Sequence, residues 1–270
     1  MSATQVVDRA LQLYRGSPLK RQKWTTLREF IGSTAGLDCL DIGSDNGVIS
    51  YFLRRGGGRW KSADLDQRAV ETIRRLVRED VYQIDGQSTP FGSNEFDQIV
   101  ILDFFEHIET DREFVQELYR IIKSDGALVV NVPHWQSGMV RIVREALNQG
   151  DEAHGHVRPG YSLNSLEELL SGFFSIEEHR YYSGLFGHMF DTLLAFAFSL
   201  VRRAVPGAAK KGNIVTDQDL DDHRALFMVY RLMFPVAWLI TWLDSLPFVP
   251  SNHMLIVRAR RLKDQQSTLG

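Results

Sequence analysis

The chain has 270 residues, 44% of them apolar, with 31 basic against 34 acidic side chains and a formal net charge of -3. That is enough for one large domain with an elaboration and a full core. The near balance of charge argues against a general polyanion-binding surface, so no nucleic-acid partner is expected. The single cysteine, Cys39, cannot form an internal disulfide and reads as a small core residue, which points to a reducing compartment. The first residues, MSATQVVDRALQLY, lack the apolar core of an export signal, so a cytoplasmic location is the expectation.

Residues 1–36 read as an N-terminal helical unit, with helices over 4–15 and 20–31 broken at Ser17-Pro18. Lys20, Arg21 and Lys23 read as a solvated face. Asp38–Ile42 is a short buried strand, and Gly43 and Gly47 bracket a tight turn after it. From Val48 the apolar residues Ile49, Phe52 and Leu53 follow at helical spacing. Such a turn aims helix N-terminal amides at an anionic or polar group above it, and Asp41 is expected to point into the same crevice. Alone, it is also what any α/β domain needs after its first strand.

A second strand, Arg59–Asp64, ends in Ala63-Asp64-Leu65-Asp66, and a helix carrying Ala69, Val70, Ile73, Leu76 and Val77 follows. An acid at the end of strand two is where nucleotide folds hold ribose hydroxyls; Asp64 fits, with Asp66 as an alternative or a helix cap. Val81–Asp85 is a third strand, and the apolar run FDQIVIL, Phe96–Leu102, a fourth that is covered on both faces. Asp103-Phe-Phe-Glu106-His107 follows it. Thr110 and Glu113 form a capping-box pattern at the start of a helix over Asp111–Ile122, which Ser124-Asp125-Gly126 ends; Ala127–Val132 is a fifth buried strand. Alternating strands and helices imply a parallel sheet with a crevice at the strand C-termini. Asp41, Gly43, Asp64, Asp85 and Asp103 all fall at those ends, which points to a nucleotide-like ligand.

These residues carry a resemblance. LDIGSDNG, ADLD, IDGQSTPFGSNEFDQIVILDFFEHI and ELYRIIKSDGALVVNVP, within Leu37–Pro133, resemble the pattern of the class I S-adenosylmethionine-dependent methyltransferases. The resemblance implies a Rossmann-like, seven-stranded mixed sheet, parallel but for one antiparallel strand, with helices on both faces. It implies S-adenosylmethionine as cofactor. By the resemblance, Asp41, Gly43 and Ser44 begin the turn that holds the methionine part and Gly47 ends it; Asp64 and Leu65 meet the ribose; Asp85 and Gly86 meet the adenine; Asp103 and Phe104 lie near the methyl group. Asp45-Asn46 stands where the family usually has glycine. Both residues tolerate left-handed geometry. The extra carboxylate near a cofactor carboxylate keeps a non-catalytic, membrane-associated binding module as an alternative. An NAD-dependent oxidoreductase is the other rival, but Gly43-x-x-x-Gly47 lacks its G-x-G-x-x-G spacing.

Substrate is expected under His134–Leu163. There His154 or His156 is a candidate base, Arg158 a candidate anion clamp and Tyr161 a further substrate contact; the alternative is that this segment only orders a lid. His107 is a second candidate base or a loop-ordering residue. His154-x-His156 lacks obvious further ligands, so no metal is expected. A helix over 164–171 and a strand Phe174–Tyr182 follow, and Met254–Arg260 is the last strand. The catalytic domain is therefore assigned to 37–182 and 253–263, with 264–270 as a flexible tail.

Between the last two strands lies an apolar helical insertion, 183–252. Its runs Leu185–Val201 and Ala225–Leu243 are interrupted by His188, Asp191, Arg231 and Pro235. The favoured reading is helices lying in a membrane interface, with Trp238, Trp242, Phe248 and Arg202-Arg203 near the headgroups. A helical cap, a homodimer interface and a membrane-crossing hairpin are the alternatives. The functional expectation is methyl transfer, as O-methylation, to a small or lipid-like acceptor on the inner face of a membrane.

Overall fold

The computed structural model describes residues 10–12, 14–44, 46–135, 139–147, 155–203 and 224–263, some of the insertion helices by their backbone alone. Asp45, His154, part of the first expected helix, the linker of the insertion and the tail 264–270 lie outside the described residues.

The strands are β1 (Asp38–Ile42), β2 (Arg59–Asp64), β3 (Val81–Gln83), β4 (Phe96–Leu102), β5 (Ile122–Pro133), β6 (Phe174–Tyr182) and β7 (Met254–Arg261). They form one sheet in the order β3-β2-β1-β4-β5-β7-β6. The first five run parallel, and β7 alone is antiparallel to its neighbours β5 and β6. The sequence order reverses between β1 and β4, so the switch-point crevice opens at Gly43 and Asp103.

The helices are α1 (Pro18–Ile31), α2 (Val48–Arg55), α3 (Gln67–Val77), α4 (Asp111–Ile121), α5 (Met139–Ala146), α6 (Leu163–Leu170), α7 (Leu185–Arg203) and α8 (Arg224–Trp242). Strand alternation sorts the core into two faces. Ile99 and Ile101 pack with Phe114 and Leu118 of α4 and Leu166 of α6. Val100 and Leu102 pack with Leu27 and Phe30 of α1 and Leu53 of α2. Cys39 is buried in the second layer, and burial pushes its thiol up to about 12, as suits a core residue.

Two local expectations change. Ser124-Asp125-Gly126 does not separate helix from strand: α4 ends at Ile121 and β5 begins at once, with Ile122 paired to Phe96 and a bulge before Gln98 meets Ala127. Thr110 makes no capping hydrogen bond, and its hydroxyl donates to the Gly86 carbonyl at 3.4 Å instead. The true capping box is Ser162 with Ser165, at the start of α6.

The insertion is a helical pair folded onto the N-terminal helix. Asp244 closes its base by accepting from the Phe186 amide at 2.8 Å and the Gly187 amide at 2.9 Å, at the first turn of α7. The Phe234 ring lies against Gly16, where an added Cβ would come within 2.0 Å of it. The Arg21 guanidinium stacks over Trp238 at 4.8 Å. Arg21 stays exposed, as expected of a solvated face, while its guanidinium meets a residue more than two hundred positions away. Among the described residues no helix is long and apolar enough to cross a membrane.

At the root of the insertion His188 of α7 stacks on His253, just before β7, with ring centroids 4.8 Å apart. Burial holds both rings below the ordinary imidazole value of 6.5, and Arg144 of α5 pushes in the same direction; Asp244 and the Ser183 carbonyl oppose it at His253, while His134 adds to it. A histidine held neutral in the fold binds its proton only on unfolding, so stability is complete above the unfolded value and is lost as pH falls through it. We expect stability to fall as pH drops below about 6.5, with His188, the more deeply buried ring, contributing more than His253. His188→Phe should flatten that slope in thermal denaturation from pH 7.5 to 5.5, and a slope equal to wild type would contradict the assignment.

Candidate active site

The turn after β1 is held from beneath. Asp41 is fully buried and accepts from Ser44 Oγ and Ser50 Oγ at 2.6 Å and from Ser62 Oγ at 2.7 Å, with Arg54 Nη1 3.6 Å away. Burial raises its carboxyl above the ordinary value, against the pull of Arg54 and the three hydroxyls. Its oxygens are committed to the protein, so Asp41 braces the turn and does not face the crevice. Ser44 likewise turns its hydroxyl inward. Both glycines have positive φ, 83° at Gly43 and 73° at Gly47. A Cβ on Gly43 would meet the Leu102 carbonyl oxygen at 2.1 Å, and one on Gly47 the Ile73 Cα at 2.8 Å. Gly43 therefore seats β1 against β4, and Gly47, the residue before α2, seats α2 against α3.

Asp64 and Asp66 divide their work. Asp66 caps α3, accepting from the Arg68 amide at 2.9 Å, while Asp64 is nearly buried at the end of β2 and accepts from the Asp66 amide at 3.2 Å. One strand over, Asp85 is exposed, its oxygens drawn into a turn by the Gln87 and Ser88 amides at 2.9 and 2.8 Å. These bonds hold its carboxyl below the ordinary range. Gly86 has φ 80°, and a Cβ there would come within 2.8 Å of Ile108 and 3.3 Å of Leu65. Asp64, Leu65, Asp85 and Gly86 thus share one edge of the crevice, beside the turn.

On the other side stands Asp103, with a left-handed φ of 43°. Such backbone is strained for a residue with a side chain and marks an imposed position. Asn131 Nδ2 donates to its carboxylate at 3.0 Å, Tyr182 Oη donates to Asn131 Oδ1 at 2.5 Å, and Lys23 of α1 forms an ion pair with it. Lys23 is therefore not part of a solvated face. Phe104 also departs from expectation: its side chain is buried 4.9 Å from the Phe114 ring and does not line the crevice.

The loop at 155–161 closes over the 3-10 turn Phe105–His107. The Val157 amide donates to the Glu106 carbonyl at 2.8 Å, and His107 Nδ1 lies 3.2 Å from the Gly155 carbonyl. Arg158 pairs with Asp111 and donates to the Ile108 and Glu109 carbonyls at 3.0 and 3.2 Å. Tyr161 Oη donates to Asp111 Oδ2 at 2.7 Å. Arg158 and Tyr161 are anchors of the lid, with their polar groups spent on the protein. The His107 and His156 rings meet edge to face at 4.8 Å beside Glu106, whose carboxylate is completely buried. Burial and the nearby Asp103 charge raise the Glu106 carboxyl well above the ordinary value.

Sequence reasoning gave Glu106, Lys23, Asn131 and Tyr182 no role at the site. Asn131 did leave a signal, a lone amide in the apolar strand ALVVNVP. The pairing of Lys23 spans 80 positions and left none.

Comparison with known proteins supports the fold. Residues 40–130 match the methyltransferase domain model. An S-adenosylmethionine-dependent methyltransferase from Mesorhizobium loti covers 88% of this chain and 97% of its own at a TM-score of 0.54 and 15% identity. The [4+2]-cyclase SpnF covers 90% of this chain and 81% of its own at a TM-score of 0.59 and 16% identity. The fold is that of the class I S-adenosylmethionine-dependent methyltransferases. Among curated relatives, the ubiquinone biosynthesis O-methyltransferase of Actinobacillus pleuropneumoniae is 26% identical over 103 residues, 34% of this chain and 44% of its own. The matched segments span from 32% to 52% of such relatives.

The residues present fit the cofactor of that class. A nearly buried carboxylate at Asp64 suits a ribose diol, the Gly86 backbone beside Leu65 and Ile108 suits an adenine ring, and the Gly43–Gly47 turn leaves no side chain at either glycine where the methionine end would lie.

Proposed function

We propose that the protein transfers a methyl group from S-adenosylmethionine to an oxygen of a small, lipid-like acceptor. The observation that supports this most is the gathering of Asp64, Asp85, Gly86 and the Gly43–Gly47 turn on one crevice edge, opposite a strained Asp103. In this reading Asp64 accepts from the ribose hydroxyls, Asp85 from the adenine amino group, and the Gly43–Gly47 turn lies under the methionine end, with its Gly43, Gly47 and Val48 amides already donating within the protein. Bound there, the cofactor supplies an electrophilic methyl on a sulfonium. The chain's own contribution is alignment: the lid anchored by Arg158 and Tyr161 fixes the acceptor and excludes water. The acceptor hydroxyl loses its proton at the cluster of Glu106, His107 and His156, which holds two of the three candidate bases of the sequence, the third, His154, lying outside the described residues. The likeness to a ubiquinone biosynthesis O-methyltransferase supports oxygen as the acceptor atom and a quinone-type ring as its carrier.

The insertion supports the lipid-like part. Leu232, Leu239 and Trp242 are exposed at 75, 69 and 62%, at helical spacing on one side of α8, and Phe248 beyond it at 79%. With no helix among the described residues long and apolar enough to cross, a face of this kind suits the plane of a membrane interface, where Trp is favoured.

Two experiments test these readings. Asp64→Ala removes a charged hydrogen-bond partner, worth about 1.5–3 kcal/mol, so calorimetry should show S-adenosylhomocysteine binding weakened roughly 10- to 100-fold. Unchanged affinity would remove Asp64 from the site. In flotation with anionic phospholipid vesicles the wild type should rise with the lipid, and Leu239→Glu/Trp242→Glu should stay below. Equal flotation would end the membrane reading, and a wild-type dimer that the pair of substitutions splits would assign this face to a second copy.

A further inference from the structure

The cluster beside the lid is built like a metal centre. Glu106, His107 and His156 each bring a ligand atom within 4.8 Å of the others. Glu106 is completely buried, and neither of its carboxylate oxygens has a hydrogen-bond partner among the described residues. A buried carboxylate in a fold is ordinarily paired or bound to a metal, because leaving it bare is costly. Every other buried acid near the crevice follows that rule: Asp41 has three hydroxyls and Asp64 an amide. His107 meets a further requirement. Its Nδ1 lies 3.2 Å from the Gly155 carbonyl, which fixes the proton there and leaves Nε2 as a lone-pair donor. Metal-bound histidines characteristically spend their other nitrogen in this way.

We propose that Glu106, His107 and His156 bind one divalent transition-metal ion such as Zn²⁺ or Mn²⁺. Two imidazoles and a carboxylate form a donor set that such ions accept, with coordination positions left open for a substrate oxygen. Glu106 and His107 are adjacent on the rigid turn after β4, and His156 arrives from the lid loop. The observed spacing, up to 4.8 Å, is wider than the roughly 3.3–3.6 Å edge of a loaded tetrahedron with bonds of about 2.0–2.2 Å, so the lid histidine closes in when the ion binds. The sequence alone suggested His154-x-His156 and no further ligands; the fold instead brings His156 to a Glu-His pair about fifty residues earlier.

The use of this ion in catalysis rests on the methyl-transfer reading; its binding does not. In catalysis the acceptor's oxygen takes an open position on the metal. The metal draws off the hydroxyl proton to water, and the oxygen forms its bond to the methyl carbon. The methyl–sulfur bond breaks, with its electron pair going to sulfur. A metal centre lowers the pKa of a bound hydroxyl, which spares the site a strong base.

The test uses tag-free full-length protein stripped with a chelator and titrated with Zn²⁺ and, separately, Mn²⁺. Calorimetry and Mn²⁺ electron paramagnetic resonance should report one tight equivalent. Glu106→Gln and His156→Ala should each weaken it at least about tenfold. Zinc should raise the melting temperature of the wild type and leave that of Glu106→Gln unmoved. Without metal, Glu106→Gln should melt no lower than wild type, since it replaces a buried carboxyl that has no hydrogen-bond partner among the described residues, so loss of binding is separable from misfolding. No binding by the wild type, or equal binding by all three proteins, overturns the proposal. Titration with S-adenosylhomocysteine runs alongside. Zinc binding without cofactor binding would leave the metal site standing and remove the methyl-transfer reading; the reverse would do the opposite.

Discussion

One buried carboxylate underlies the crevice. Asp41 sits at the end of β1 with three serine hydroxyls and a guanidinium around it, drawn from β2, the turn and α2. Losing solvent is costly for a carboxylate, and these partners offset the cost only when all are in place. The geometry of the turn is therefore all or none. Once it is set, Gly43 can lie against the Leu102 carbonyl and Gly47 against α3.

This changes the meaning of a familiar-looking sequence. In LDIGSDNG the acid reads as a ligand contact, yet its side chain is consumed inside the protein. The same holds for Arg158 and Tyr161, which read as substrate groups and prove to be lid anchors through Asp111. A sequence shows which residue types gather at strand ends. It does not show whether a polar side chain there turns toward the crevice or away from it, because that depends on partners far along the chain.

The sheet was legible for a definite reason. Strands such as FDQIVIL and the DCLDI segment are covered on both faces, so their apolar runs have sharp ends, and β1 and β4 fall where the pattern places them. Reading failed where one signal served two elements. Asp125-Gly126 looks like a helix stop, but it lies in a bulged strand that pairs through Ile122. Lys23 looks like part of a wetted stripe, but it is paired with Asp103, whereas Arg21 beside it does stay exposed. Periodicity could locate the apolar insertion but not its seat, which is fixed by Phe234 against Gly16 and by Asp244 at the start of α7. The N-terminal helix thus links the insertion to the crevice: one of its residues touches α8 and another, a half-turn on, touches Asp103.

The central claim is that the crevice between β1 and β4 receives an adenosyl sulfonium. A crystal structure of the protein grown with S-adenosylhomocysteine tests it most directly. The account predicts density with the ribose at Asp64, the adenine beside Gly86 and the amino acid end over Gly43 to Gly47. Density anywhere else, or the same pocket filled by NAD in a competing soak, would contradict it.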